Sequence, residues 1–311
     1  MRVKVLGSAA GGGFPQWNCD CPNCGGLRRG KLKARSRAQT QVIFSPDSKV
    51  WFLLCASPDL RQQMLSAPEL APPTSASSPA PIGGVFLPNA DVDSVMGLLH
   101  LREFQSFFVF ATRGVQCVLQ KENRIFLVLE RSKPPVKWQT VSAKGRLGCH
   151  LSEDSSGPAD FICRTVPLGG GYPDYVSEET VRAVSPEDAS VGFVMEQGEK
   201  RLLFAPALSG GSGVWKSAAE TADVSLIDGT FWSDDELMRT GRSRKTAREI
   251  GHLPLSGAGG LLEQFPAKAK GRRILIHINN TNPILNEDSA EHRVVLDAGF
   301  EIAYDGMGFE L

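Results

Sequence analysis

The chain has 311 residues, 41% hydrophobic and 22% charged, and its 34 Lys and Arg are balanced by 34 Asp and Glu. That length suits one large domain or two small ones of ordinary globular composition, and the charge balance gives no global field for nucleic acid or an anionic membrane. No apolar run approaches a membrane span, and seven irregularly spread cysteines, an odd number, argue against a secreted disulfide framework.

The chain opens with Val3-Lys4-Val5-Leu6, an alternating run that breaks into glycine and reads as a strand feeding a loop rather than a leader peptide, which places the chain in the cytoplasm. Behind the Gly11-Gly12-Gly13 run comes Cys19-Asp20-Cys21-Pro22-Asn23-Cys24. Three cysteines this close, with Pro and Asn between the last two, put their sulfurs on one side of a tight turn, and converging thiolates suit Zn²⁺. Reduced surface thiols and a Cys21/Cys24 redox pair are the alternatives; direct pairing of Cys19 with Cys21 is badly strained. The glycines are not a phosphate loop, since no Gly-Lys-Ser/Thr follows, and instead allow close backbone approach to a ligand or metal loop.

Gln41–Phe44 and Val50–Cys55 flank Ser45-Pro46-Asp47-Ser48 and predict a hairpin. Leu60–Leu65 suits a short helix, with Ser57 as its cap and Pro58 in its first turn. Residues 67–84, rich in Pro, Ser and Ala, read as a surface loop. Gly84–Leu87 is a strand and Val95–Glu103 a helix. Further strands are expected at Phe107–Phe110, Phe161–Val166, Val191–Met195, Arg201–Phe204, Val224–Ile227 and Arg273–Ile276, with helices at Asp234–Arg239 and Ala258–Gln264. Hairpins that give way to strand–helix alternation, with no compositional break, point to a single α/β domain, 1–311, with a two-sheet αββα core.

Polar residues collect just past three of these strands: Asn89 to Ser94 after the first, Asp228-Gly229-Thr230 after the second, His277-Ile278-Asn279-Asn280 after the third. Sites in sheet-based folds form at strand ends, so Asp91, Asp93, Asp228 and His277 are candidate metal ligands. Equally, Asp91 or Asp93 can cap the following helix and Asp228 can start a turn. His252 sits in Gly251-His252-Leu253-Pro254; His100, His150 and His292 have no polar cluster around them. The basic run Arg242, Arg244, Lys245, Arg248 is a solvated face, or a partner for a substrate carboxylate or phosphate.

Together these segments resemble the PqqB family of pyrroloquinoline quinone (PQQ) biosynthesis proteins. The resemblance is carried by GSAAGGGFPQWNCDCPNC from residue 7, ASPDLRQQ from 56, DVDSVMGLLHLRE from 91, IDGTFWSDDEL from 227, GHLPLSGAGG from 251, HINNTNPILNEDS from 277 and YDGM from 304. It runs from end to end in family order and is weakest over about 104–222. It implies a metallo-β-lactamase fold with metal between the sheet edges. It also implies non-haem iron-dependent hydroxylation of a tyrosine-derived quinone precursor, small or peptide-borne, alongside other PQQ biosynthesis proteins.

The same resemblance makes Cys19, Cys21 and Cys24 ligands of a structural zinc, as in the related PhnP phosphodiesterases. There the fourth ligand is a histidine; here that position is Asn280, so His277, water or another residue is left for the role. The fold's HxHxDH motif falls on Asn89, Asp91, Asp93 and Ser94, with Ser94 in place of a histidine. Asp228 matches the bridging carboxylate, His277 the last ligand, and His252 a general acid. Asp91, Asp93, Asp228 and His277 then supply one imidazole to an active-site Fe²⁺, with Asp93, Asp228 and His252 in catalytic roles. Two alternatives follow from Ser94 and from the pathway: a non-catalytic carrier that transports the quinone or its precursor, and a paralogue acting on another peptide-derived natural product.

Overall fold

The computed structural model describes residues 1–73, 79–103, 105–151, 159–210 and 213–311. Its first six strands are β1 (Arg2–Gly7), β2 (Gln41–Ser45), β3 (Trp51–Leu54), β4 (Ile82–Phe86), β5 (Phe108–Thr112) and β6 (Lys137–Val141). The next seven are β7 (Arg146–Cys149), β8 (Phe161–Pro167), β9 (Val191–Gln197), β10 (Lys200–Ala205), β11 (Val224–Asp228), β12 (Arg272–Ile276) and β13 (Glu301–Ile302). The chain closes with β14 (Gly308–Glu310).

Among the described residues these strands form two seven-stranded sheets, ordered β14-β1-β2-β3-β4-β5-β6 and β13-β12-β11-β10-β9-β8-β7. Each mixes antiparallel hairpins with a parallel run: β3 to β6 in the first sheet, β10 to β13 in the second. The parallel strands β11 and β12 have their apolar residues buried, as strands covered on both faces require.

The faces of the two sheets meet on a layer of aromatic rings. Phe44, Phe52, Phe86 and Phe110 from the first sheet pack with Phe161 and Phe193 from the second. Phe86 stacks on Phe110 at 4.2 Å between centroids and meets Phe193 edge-on at 5.4 Å, geometries that favour aromatic pairs. A second apolar layer, with Trp215, Leu253 and Val295, covers the outer face of the second sheet; a third, with Leu60, Leu98 and Val115, covers the first. This is the expected αββα domain. Among the described residues no helix is long and apolar enough to cross a membrane, and all seven cysteines are free.

Local expectations are corrected in four places. Ser57 does not cap the Leu60–Leu65 helix; its hydroxyl donates to Gln63 Oε1 at 2.7 Å, and the helix starts after Asp59. The helix expected over Val95–Glu103 is instead an α-turn, Val92–Val95, followed by a 3₁₀ stretch, Met96–Leu101. Gly97 explains the break: its N–H donates to Ala56 O at 2.8 Å, outside its own helix, and an added Cβ would lie 2.2 Å from Ser57 O. The 67–84 loop contains a 3₁₀ turn, Pro68–Leu70, and ends inside β4; residues 74–78 lie outside the described residues. Asp234–Arg239 and Ala258–Gln264 shrink to single turns, Glu236–Arg239 and Leu261–Gln264.

The inter-sheet layer carries the fold's stability. Phe193→Ala is expected to lower unfolding free energy by about 3–5 kcal/mol, whereas Leu65→Ala on the exposed helix face shifts it by under about 0.5 kcal/mol, as measured by urea denaturation.

Candidate functional site: a carboxylate–imidazole cluster and a cysteine knuckle

The parallel strands of both sheets deliver their following loops to one rim. Past β4 come Asn89 to Ser94, past β11 comes Thr230, and past β12 comes His277, whose φ of 60° is left-handed, a costly conformation for a residue other than glycine. Flanking backbone bonds hold it there: Ile278 N donates to Ser8 O at 3.0 Å and Ala10 N to Ile278 O at 2.9 Å. These bonds also join the end of β1 to the second sheet. Gly11 then passes so close to the cluster that a Cβ on it would lie 3.3 Å from Asp93 Oδ2, as expected of the glycine run.

Asp228, Asp93, His277 and His252 come together. His277 Nε2 lies 3.0 Å from Asp93 Oδ2, and His252 Nδ1 lies 2.7 Å from Asp228 Oδ2. The two imidazole rings stack at 5.3 Å with 19° between planes. Ligand atoms of Asp228, His252 and His277 all lie within 4.8 Å of one another. The loop after Gly251 carries His252, expected as a general acid beside a single ligand imidazole, back to the end of β11, so that two imidazoles stand within ligand distance of Asp228.

Thr230, absent from the sequence expectations, organises the cluster. Its hydroxyl donates to Asp228 Oδ1 at 2.6 Å and faces His277 Nδ1 at 2.9 Å and His252 Nδ1 at 3.1 Å. Its backbone N–H also donates to Asp228 Oδ1 at 2.9 Å. A threonine two residues beyond an aspartate is common, and only the fold reveals that both histidines converge on it.

Asp91 occupies the N-cap position of the Val92–Val95 turn, but its side chain makes no capping bond, which leaves its carboxylate to the cluster. Asn89 is spent locally, its Oδ1 accepting from Asp91 N at 3.1 Å. Ser94 is buried and takes a hydrogen bond from the Cys55 thiol at 3.9 Å. His100, His150 and His292 stay outside the cluster, the last facing Ile284 O at 2.7 Å. Within the basic run, Arg242 donates to Asn18 O, Arg248 to Ala258 O and Gly259 O, and Lys245 pairs with Asp174.

The electrostatics of the cluster suit a cation. Burial, reinforced by the charge of Asp93, pushes the Asp91 carboxyl up to about 6. Burial would raise Asp93 too, but the hydrogen bond and charge of His277 outweigh it and hold Asp93 low. Asp228, fully buried, is likewise held low against burial by His252, His277 and the Leu208 N–H. Burial would depress His277, yet its bond to Asp93 and three neighbouring carboxylates raise it. Protons thus take the place of the positive charge that three carboxylates and two imidazoles would otherwise share with a divalent ion.

The second cluster is the knuckle. Sulfurs of Cys19, Cys21 and Cys24 lie within 4.8 Å of one another in a thiol triangle, with Cys19 and Cys24 buried rather than at the surface. Asn280 faces it: Nδ2 lies 3.2 Å from Cys19 Sγ, 3.3 Å from Cys24 Sγ and 3.7 Å from Cys21 Sγ. His277 is gathered with Asp228 and His252 rather than with the three thiols, its ring lying between Thr230 and Asp93.

Residues 50–278 match the beta-lactamase superfamily domain, and two mixed sheets with a carboxylate–imidazole rim define the chain as a member of that superfamily. The solved diphosphatase of the PhnP family shares the fold at a TM-score of 0.65 with 16% identity, covering 100% of this chain and 97% of that one. Much nearer is the zinc-bound crystal structure of PqqB from Methylobacterium extorquens, with a TM-score of 0.89 and 36% identity over 100% of both chains. Coenzyme PQQ synthesis protein B of Azoarcus sp. (strain BH72) is 41% identical over the full length of both. Within the superfamily, the chain belongs to the coenzyme PQQ synthesis protein B family, PqqB.

Two outcomes test the site. Thr230→Val removes the hydroxyl that orients both imidazoles and is expected to weaken divalent-metal binding about 10–100-fold, read by competition with a chromophoric chelator. For metal-free protein, Asp91 and His277 hold protons more tightly folded than unfolded. Their contributions are complete at low pH and vanish as pH rises, that of Asp91 through about 6 and that of His277 above about 6.5. Asp93 and Asp228 contribute above the ordinary carboxylate range and lose their contribution as pH falls through it. Thermal melts are therefore expected to show metal-free protein losing stability from pH 5 to 8, and zinc-loaded protein gaining it, because protons compete with metal.

Proposed function

We propose that the chain acts in pyrroloquinoline quinone synthesis as a non-haem iron-dependent hydroxylase of a tyrosine-derived precursor, with zinc at the cysteine knuckle. The observation that carries this reading is the gathering of His252, His277 and Asp228 within 4.8 Å. Two imidazoles and one carboxylate are the donor set of non-haem iron oxygenases. A carrier role drew its support from Ser94, where the family's histidine is missing; His252 supplies the second imidazole, which favours chemistry. The zinc assignment is supported by the thiol triangle and by the zinc-bound relative.

A ferrous ion held by this triad would supply oxygen activation, which no side chain provides. The remaining residues bind, orient and hold protons. Asp93 and Thr230 flank the two ring nitrogens of His277 and set the orientation of the ring; a bound metal would replace one of these two contacts. His252, expected as a general acid, is read here as a ligand, and Asp91 takes the proton-holding role.

A cavity of about 460 Å³, lined by Asn89, Asp91, Tyr172, Ser190 and His252 among others, adjoins the cluster and suits one aromatic amino-acid-sized substrate. The Tyr175 hydroxyl donates to Ala90 O and pins the segment around it beside Asp91. Lys245 and Arg248 also line the cavity and can meet a substrate carboxylate. The Lys245–Asp174 pair, exposed on both sides, costs little to exchange. Free thiols suit a reducing cytoplasm, where other PQQ synthesis proteins would deliver the precursor and take the product.

The test is oxygen consumption by anaerobically purified, iron-loaded protein given a tyrosine-derived substrate. Activity is expected in the parent, with His277→Ala and Asp228→Asn lowering it by more than about 100-fold. Substrate binding without oxygen consumption in iron-loaded parent would support the carrier role instead.

A further inference from the structure

The turn His277–Asn282 serves both clusters at once. Its first residue is in the carboxylate–imidazole cluster, and its fourth, Asn280, faces the three thiols. One bond closes the turn, Asn282 N to Asn279 O, and another ties it to the segment after β11, Asn279 N to Thr230 O, each at 3.0 Å. One side chain of the knuckle grips it. Asn23, between Cys21 and Cys24 and only 7% exposed, donates through Nδ2 to Asn280 O at 3.1 Å and to Asn282 O at 2.9 Å. From the other end of the turn, Asn282 Nδ2 reaches Gly229 O at 2.9 Å and Thr230 O at 3.2 Å, the segment that holds Asp228.

We propose that Asn23 is a positioning residue through which the cysteine knuckle sets the metal affinity of the His277 cluster, so that the two sites bind cations cooperatively. The physical reason is that His277 holds a left-handed backbone conformation that its own sequence does not favour. The bonds of Ile278 with Ser8 and Ala10 brace one side of it, and the ties on the turn's two carbonyls brace the other. A cation on the thiols fixes the Cys21–Cys24 turn, which fixes Asn23, which fixes the carbonyls of Asn280 and Asn282. Binding free energy at one site is then partly spent on ordering a segment the other site needs, and linkage requires the effect to be reciprocal. The proposal rests on both clusters holding a cation and not on hydroxylation.

Cobalt titration of metal-free full-length protein tests it, with thiolate-to-cobalt charge transfer reporting the knuckle and the weaker d–d bands that follow reporting the His277 cluster. Asn23→Ala is expected to keep one cobalt on the thiolates while weakening the second site at least about tenfold. Val109→Ala, a buried change in the first sheet far from the turn, is expected to leave the second site unmoved. Equal second-site affinity in Asn23→Ala and parent overturns the proposal, and so does equal weakening in Val109→Ala, which would mark a merely structural effect. Should Asn23→Ala not fold, the parent alone decides. Filling the second site must slow chelator-driven loss of cobalt from the thiolates, and an unchanged rate overturns the coupling. A parent that takes cobalt only at the thiolates overturns the metal centre and the coupling with it.

Discussion

Asp228 ends a central strand with no solvent exposure, and a buried carboxylate must be neutralised where it stands. Three protein donors and one imidazole do so: Leu208 N, Thr230 N, Thr230 Oγ1 and His252 Nδ1. Each of these fixes something else. Leu208 brings in the loop after β10, His252 the loop after Gly251, and Thr230 orients His277, which reaches across to Asp93 on the other sheet. The geometry of the rim is largely the set of loops that one carboxylate demands.

That arrangement is under electrostatic tension. Three carboxylates cannot all ionise within a buried pocket beside two neutral imidazoles, and Asp91 and His277 respond by holding protons. A divalent ion would relieve the tension by replacing those protons. The cysteine knuckle is a separate device with softer donors, and its own burial raises the Cys24 thiol to about 11, which a metal would reverse. The turn from His277 to Asn280 joins two donor sets of different hardness, which would suit two different cations.

Local signals in the chain were legible without the structure. The cysteine spacing closes within six residues, so no tertiary information is needed to see that the sulfurs meet. The strands of the sheet centres read as apolar runs because both their faces are buried. What escaped was edge and long-range structure. β6, β7, β13 and β14 are short and half-exposed and carry no apolar pattern. His252 lies 24 residues past Asp228 in an irregular loop, and the family resemblance, not any local signal, marked it as a site residue. Thr230 and Asn23 look like ordinary turn residues until their partners are in place. Family resemblance located Asp93, Asp228, His252 and His277, and set Asn280 at the fourth position of the knuckle, where its amide faces the thiols.

The central claim is that the Asp228–His252–His277 cluster holds a metal distinct from the one on the cysteines. Anomalous diffraction from crystals of anaerobically purified, iron- and zinc-supplied protein, collected across the zinc and iron edges, tests it most directly. The account predicts a zinc peak inside the Cys19, Cys21 and Cys24 triangle and a separate iron peak among Asp228, His252 and His277. A zinc peak at the thiols with no anomalous density at the second cluster would contradict it.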